Sequence, residues 1–129
     1  MYSGVLFVSP FPQDARSLTQ MLNHVSLPLV HANSLKDAAS KLETGKFQVV
    51  LTEANLEDGT WLDVLKMARL SNTEVVVTHP WADARFWAEA INMGAYDLLA
   101  QPFFPTEVRR VLTSASSHKL AAAQAHAAA

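Results

Sequence analysis

Five short apolar runs along the chain alternate with segments whose apolar residues recur every three or four positions. A short run that is apolar throughout is typical of a strand buried on both faces, and such strands build parallel sheets covered by helices on both sides. The runs are residues 5–8, 27–30, 47–52, 74–78 and 96–100. Together with the right-handed crossover rule, this alternation predicts a doubly wound α/β domain with five helices, whose five parallel strands follow the order 2-1-3-4-5.

Several helix ends carry recognisable signals. Ser34, followed by Asp37 three positions later, predicts an N-cap, and Gly45 predicts the end of that second helix. Asp14 is expected to cap the first helix, and Pro105 is expected to be the first residue of the last helix. These signals separate the helices from the apolar runs, so the whole alternation fits into one domain.

The composition excludes several classes of protein. The 129 residues are 50% hydrophobic, which favours a folded core. They include no cysteine, which rules out disulfides, thiolate metal sites and cysteine catalysis. The formal net charge is −2 and no basic patch dominates, so direct binding of nucleic acid is not expected. No apolar run approaches the ~20 residues of a transmembrane helix, and no basic leader precedes the first strand. We therefore expect no membrane span, no signal peptide and a cytoplasmic location.

The C-terminal residues differ in composition from the rest. Residues 119–129 are alanine-rich and carry no core pattern beyond helix propensity. A tail of that composition is typical of an expression-vector junction. The predicted domain covers residues 1–118, and residues 119–129 are predicted to be a tail outside it.

Candidate functional residues follow the strands at their carboxyl ends. In doubly wound sheets, ligands and chemistry collect at this edge. Ser9 and Pro10 follow the first strand, Glu53 the third, Thr78 ends the fourth and Gln101 follows the fifth. We expect the function of the domain to depend on this group.

Three segments are similar to segments of the receiver domains of two-component response regulators. Residues 49–59 resemble the strand and loop that hold the phosphoacceptor aspartate of that family, and residues 75–78 resemble its fourth strand with a terminal switch hydroxyl. Residues 94–103 resemble the glycine–alanine entry to strand five and the lysine–proline–phenylalanine after it. The resemblance extends over about residues 5–114 and implies a flavodoxin-like fold and a role in phosphorelay signal transduction. It also implies a cis peptide bond between Gln101 and Pro102.

The chemistry of that family depends on residues that this chain largely lacks. The resemblance places Ser9 and Pro10 where receivers hold an acidic pair, which binds Mg²⁺ together with the phosphoacceptor. It places Glu53 at the phosphoacceptor and Gln101 at a lysine whose charge neutralises phosphoryl oxygens during in-line transfer. Glutamate moves the carboxylate outward by one methylene, ~1.5 Å, against a tolerance of ~0.5 Å in a catalytic site. The resemblance therefore implies a degenerate site, for which we expect no metal and no cofactor.

The switch positions are partly retained. The resemblance places Thr78 at the switch hydroxyl, and Leu98 where receivers carry an aromatic side chain that changes rotamer. Thr78 is either such a switch or a hydroxyl that bonds local backbone. Glu53 is either a permanent mimic of a phosphorylated aspartate or a solvated carboxylate at a strand end. His79 either binds an anion or senses pH, or it is an ordinary loop histidine.

The retained fold and the lost transfer residues together predict a pseudo-receiver. Such a module would act by protein–protein contact, independently of phosphorylation, and would not be an enzyme. Two alternatives stay open: a conventional receiver phosphorylated at an atypical site, and a small flavodoxin-like ligand-binding domain. Against the second, residues 9–12 form no glycine-rich phosphate loop, and the chain has only 4 glycines.

Aromatic and arginine side chains, which are enriched at binding hot spots, are frequent in the last third of the domain. In receivers, the face made by helix four, strand five and helix five is the usual output and dimer surface, so the resemblance implies a protein partner or a homodimer there. Trp87 is expected to face the sheet. The candidate interface residues are Trp81, Phe86, Phe104, Arg109 and Arg110.

Overall fold

The computed structural model describes residues 4–128, with side chains for residues 4–118. Five strands form the main sheet: β1 (Val5–Val8), β2 (Leu29–Ala32), β3 (Val49–Glu53), β4 (Glu74–His79) and β5 (Asp97–Ala100). The α-helices are α1 (Pro12–Leu22), α2 (Leu35–Thr44), α3 (Trp61–Leu70), α4 (Ala84–Met93) and α5 (Pro105–Ala128). The last helix begins at Pro105, as predicted, and includes most of the predicted tail. Within residues 4–128, no helix is both long and apolar enough to cross a membrane.

The sheet has the predicted topology. Its strands lie in the order β2-β1-β3-β4-β5, and every neighbouring pair is parallel. In this register Val8 lies opposite both Ala32 and Thr52, and Glu53 lies opposite Thr78. The carboxyl ends of β1, β3 and β4 therefore meet at one edge of the sheet.

Helices cover the sheet on both faces, because successive side chains of a strand point to opposite sides. On one face, Leu6 and Val8 belong to a buried cluster with residues of α2, α3 and α4. On the other face, Phe7 belongs to a cluster with Leu18 of α1 and Leu112 of α5. Every residue of β1 and β3 is buried, which confirms the double-sided burial predicted for the central strands.

Two strands, β2 and β3, each begin two residues later than predicted. The second strand begins at Leu29, two residues later than predicted, because Pro28 has no backbone N–H to give to a ladder. The Pro28 carbonyl instead accepts a hydrogen bond from the Val5 N–H at 2.8 Å. The third strand begins at Val49, since the preceding Gln48 N–H donates to the Gly4 carbonyl, just outside β1.

The helix caps agree with the sequence signals in all but one case. The Asp37 N–H donates to the Ser34 side chain at 3.0 Å, and Gly45 is the C-cap of α2, as predicted. The prediction for Asp14 was wrong. The first helix begins at Pro12, two residues before Asp14, so Asp14 lies within its first turn and makes no capping bond.

The loop after β3 contains structure that the sequence did not indicate. Asn55–Leu56 and Gly59–Thr60 pair as a short antiparallel hairpin. At its tip, the Asp58 carboxylate accepts the backbone N–H groups of Leu35 and Lys36 at 2.8 and 3.0 Å, and these bonds lower the pKa of Asp58. The hairpin is thereby attached to the first turn of α2, which steadies the loop beside Glu53.

Helix α4 packs on the sheet through few side chains. Ala90 is fully buried and Phe86 is partly buried, whereas Trp87 and Ile91 are 53% and 41% exposed. The expectation that Trp87 faces the sheet was therefore wrong. Trp87 and Ile91 lie four positions apart and so share one face of the helix, which points to solvent.

Candidate functional site

The structure brings together four of the residues that the sequence singled out. Ser9 follows β1, Glu53 ends β3, Thr78 lies in β4 and Gln101 follows β5. The parallel register places Glu53 beside Thr78, and the chain after β5 brings Gln101 to both. The candidate site is therefore a contiguous cluster at the carboxyl edge of the sheet.

Gln101 links the cluster. Its Nε2 donates to the two carboxylate oxygens of Glu53, at 3.1 and 3.2 Å, and to Thr78 Oγ1, at 3.0 Å. The Thr78 hydroxyl in turn donates to the Leu99 carbonyl at 2.7 Å, which leaves its lone pairs for Gln101. Thr78 thus bonds the backbone of the neighbouring strand β5, and not the local backbone that one of the two interpretations expected. The position that the resemblance gives to a cationic lysine carries a neutral amide that bonds two neighbours at once.

Glu53 is a buried carboxyl group. Only 5% of the residue is exposed, so the interpretation as a solvated strand-end carboxylate was wrong. The pKa of Glu53 is raised from 4.5 to about 7, mainly because the group is buried; the hydrogen bond from Gln101 partly opposes this rise, and the charge of Asp14 contributes to it. The raised pKa follows from burial because desolvation disfavours the charged form.

The segment after β1 provides no ligand set for a metal ion. Ser9 is fully buried, and its Oγ accepts the Phe11 N–H at 3.0 Å. The Ser9 carbonyl accepts His31 Nε2 at 2.7 Å, and Pro10 has no side-chain oxygen. Across the described residues, no group of three or more His, Asp or Glu side chains could hold a metal. The donor set does not fit the octahedral oxygen cage that Mg²⁺ requires.

The remaining positions of the resemblance are also in place. Leu98 is buried in β5, in the cluster that includes residues of α4, and it has neither an aromatic ring nor a hydroxyl group to respond to a change at Thr78. The Gln101–Pro102 peptide bond is cis, in agreement with the prediction.

Two of the predicted interface residues have structural contacts. Phe86 is half-buried, with its ring 5.7 Å from the ring of Trp61 and 5.2 Å from that of His79. Arg109 Nε donates to the Met21 carbonyl at 2.7 Å. Arg109 therefore joins α5 to α1, which lies on the opposite side of the sheet from α4, and it is not available to a surface formed by α4.

Three other predicted interface residues are accessible. Trp81 is 82% exposed and Phe104 is 60% exposed, and Arg110 is also exposed. The exposed α4 residues Trp87 and Ile91 were not among the predicted set, although their spacing of four could have indicated a shared helix face. Exposed apolar side chains therefore lie both on α4 and in the loops at the carboxyl edge.

A cleft of about 190 Å³ opens beside Glu53. Phe11 and Trp81 form exposed parts of its lining, with His79 and Gln101 deeper in. The Trp81 N–H donates to His79 Nδ1 at 2.9 Å, which ties the loop after β4 to the strand end. The sequence reasoning missed Phe11, although it is the residue directly after Pro10.

Comparison with known proteins gave matches at the level of structure. No protein-family model matches the chain, and no curated protein matches it. Among solved structures, a signal receiver domain described as that of a LuxO repressor protein from Vibrio parahaemolyticus superposes with a TM-score of 0.88 at 19% identity, covering 97% of this chain and 98% of that one. The receiver domain of an HD domain-containing protein from Pseudomonas fluorescens Pf-5 superposes with a TM-score of 0.82 at 22% identity, covering 94% of this chain and 99% of that one. The beryllofluoride-activated NtrC4 receiver domain dimer superposes with a TM-score of 0.82 at 21% identity, covering 91% of this chain and 98% of that one. The chain therefore has the fold of response-regulator receiver domains.

Proposed function

We propose that this domain is a cytoplasmic two-component signalling module that works by protein–protein contact without being phosphorylated, and that it is not an enzyme. The observation that carries the proposal is the bonding of Gln101 to both Glu53 and Thr78. A hydrogen-bonded cluster without a cation stands where phosphoryl transfer requires a metal ion, a lysine and a free carboxylate.

Each missing component removes a separate part of the transfer chemistry. Without an acidic pair, nothing beside Glu53 completes a Mg²⁺ site, so the metal cannot neutralise the phosphoryl oxygens. The amide of Gln101 carries no positive charge that could replace the charge of the metal ion. The Glu53 side chain is also longer than that of aspartate by one methylene. Its carboxyl group is partly protonated at neutral pH, which lowers its nucleophilicity.

Incubation with a small phosphodonor such as acetyl phosphate and Mg²⁺ is expected to leave the protein unlabelled. The reason is the absence, in the site formed by Ser9, Glu53 and Gln101, of both the metal ligands and the lysine. Intact-mass spectrometry measures the result, with a conventional receiver domain labelled in parallel to show that the donor is active. Beryllofluoride with millimolar Mg²⁺ should likewise leave the NMR spectrum unchanged.

A stoichiometric, hydroxylamine-sensitive adduct on Glu53 would overturn the proposal. An adduct at another residue would support the alternative of a receiver phosphorylated at an atypical site. Because intact mass reports phosphate anywhere on the chain, the one measurement tests both alternatives.

The structure gives little support to a flavodoxin-like ligand-binding domain. In that class, backbone N–H groups after the first strand hold the phosphate of the ligand. Here the Phe11 N–H is already bonded to Ser9 Oγ, and the prolines at positions 10 and 12 have no N–H. The cleft of about 190 Å³ also lies below the ~300–1,000 Å³ typical of small-molecule pockets.

We place the protein contact on the exposed face of α4 beside β5, with a second copy of the chain as the expected partner. Trp87 and Ile91 form an apolar stripe there, on a helix that packs against β5. A structural neighbour, the NtrC4 receiver domain, is a dimer in its activated form. Aromatic side chains at the centre of an interface carry much of the binding energy.

Replacing Trp87 by alanine is expected to weaken self-association by about 1–3 kcal/mol, roughly 5- to 150-fold in Kd, because a large apolar contact is lost. Sedimentation velocity over a concentration series measures the effect. Leu70→Ala is the control, since Leu70 is 91% exposed on α3 and lines a groove with Leu42 of α2, outside the stripe on α4. Unchanged association of Trp87→Ala, or equal weakening in both variants, would contradict the assignment. Phe86 and Arg109 do not suit this test because their contacts with Trp61 and Met21 stabilise the fold.

A further inference from the structure

The cleft beside Glu53 holds a buried carboxyl group without a positively charged partner. Among the described residues, no lysine or arginine lines the cleft, and the ion pairs of the domain lie elsewhere. The charge that acts on Glu53 is that of Asp14, which has the same sign. The electrostatic environment of the cleft is therefore suited to a cation.

The Glu53 carboxylate has hydrogen-bonding capacity left. Two carboxylate oxygens offer about four lone-pair sites, and Gln101 Nε2, the one donor seen at both oxygens, also bonds Thr78. Glu53 lines the cleft although it is only 5% exposed. A donor entering from solvent can therefore reach an acceptor that the protein itself leaves under-used.

Aromatic rings flank the entrance. Trp81 and Phe11 are 82% and 54% exposed at the rim, and indole is the best aromatic partner for a cation. The hydrogen bond from the Trp81 N–H to His79 Nδ1 holds the backbone of Trp81 at the cleft. The rim is thus attached to the strand end from which Thr78 contacts Gln101.

We propose that this cleft receives a cationic side chain, arginine in preference to lysine, from a protein partner of the domain. The guanidinium would bond the Glu53 carboxylate and stack on Trp81, supplying from outside the positive charge that Gln101 does not provide. Arginine fits better because its planar fork matches a carboxylate and stacks on aromatic faces. The inference rests on the proposed function, since it names the chemistry that a protein partner presents to this edge of the sheet.

The size of the cleft favours a single side-chain head. Its volume of about 190 Å³ corresponds to roughly six waters at ~30 Å³ each. That space accommodates a guanidinium with part of its aliphatic stem, and it is too small for a nucleotide or a flavin. A side chain of a docked protein also receives additional contacts from outside the cleft, which a free small cation lacks.

The test uses the whole domain and four probes. These are the capped tripeptide Gly-Arg-Gly, the same peptide with neutral citrulline, N-methylguanidinium, and MgCl₂. Chemical shifts of the Trp81 indole N–H report binding. We expect the arginine peptide to bind with a Kd on the order of 1 mM and the citrulline peptide at least about tenfold more weakly, because citrulline has the same shape without the charge.

Variants assign the binding to the cleft. Glu53→Gln should abolish the preference for arginine over citrulline. Trp81→Ala, followed through backbone amide shifts, should weaken the binding of the arginine peptide roughly two- to fivefold. Leu70→Ala, remote on α3, should bind like the parent protein. A preference for arginine that persists in Glu53→Gln would show that the carboxylate is not the receptor.

Three results would overturn the inference: equal affinity for the citrulline peptide, displacement of the arginine peptide by millimolar MgCl₂, and binding of N-methylguanidinium as tightly as the peptide. The second result would identify a metal site, and the third a site for free small cations. None of these results depends on phosphodonor labelling, so failure here is distinguishable from failure of the proposed function.

Discussion

Replacing Glu53 by glutamine is expected to stabilise the domain at pH 8 by up to about 3 kcal/mol and to leave its stability nearly unchanged at pH 4. The folded protein raises the pKa of Glu53 from 4.5 to about 7. A pKa that rises by one corresponds to a free energy of about 1.4 kcal/mol, so ionising this buried group costs about 3 kcal/mol at most. Glutamine has nearly the same shape and never ionises.

The direction of the pH dependence follows from proton binding. Between about pH 4.5 and 7 the folded state holds the Glu53 proton and the unfolded state does not. The contribution of Glu53 to the free energy of unfolding is therefore fully present below pH 4.5, falls as the pH rises through this window, and is lost above about pH 7. Urea unfolding of the parent and of Glu53→Gln at a series of pH values measures the difference.

A second variant shows whether the pH dependence arises because no positive charge lies beside Glu53. Gln101→Lys places an ammonium group at the position that now bonds Glu53, and an opposite charge at that distance favours the carboxylate. The fall in stability between pH 4.5 and 7 should shrink in this variant. If Glu53→Gln shows the same pH profile as the parent protein, Glu53 ionises in the folded state as readily as in water, and the prediction is wrong.

Replacing Phe7 by alanine is expected to lower the free energy of unfolding by about 3–5 kcal/mol, the largest single effect that we predict. Phe7 is fully buried in the middle of β1, between α1 and α5, and its loss would leave a cavity that the close-packed layer cannot fill. Denaturant unfolding at one pH measures the loss.

Phe11→Ala is the matched control, since it removes the same atoms four residues later at a position that is 54% exposed. We expect a change within about 0.5 kcal/mol, as for most surface substitutions. A loss in Phe11→Ala comparable with that in Phe7→Ala would mean that the rim of the cleft, and not only the core, stabilises the domain.

The architecture was predictable because it depends on local patterns. The run of residues 5–8 is apolar at every position, which only a strand covered on both faces can bury. Ser34, Gly45 and Pro105 marked helix ends through bonds within a few residues of themselves. The errors at Asp14 and at the start of β2 arose where a proline displaced the boundary, by three residues at the start of α1 and by two at the start of β2.

The identity of the site residues was also readable, since carboxyl ends of parallel strands must meet at one edge. The chemistry of these residues could not be predicted from the sequence. That Glu53 is buried and not solvated depends on the covering loops, and its bond to Gln101 joins residues 48 positions apart. No local pattern reports such a pairing.

The sequence by itself determined the layered fold and the order of its elements, because these follow from residue type and periodicity. The tertiary structure alone decided which side chains face outward. It turned Trp87 to solvent, and it bound Arg109 to the carbonyl of Met21, 88 positions away. The direction of a side chain on a helix depends on how that helix packs against elements distant along the chain, and the same packing buried the Glu53 carboxyl group beside the neutral amide of Gln101.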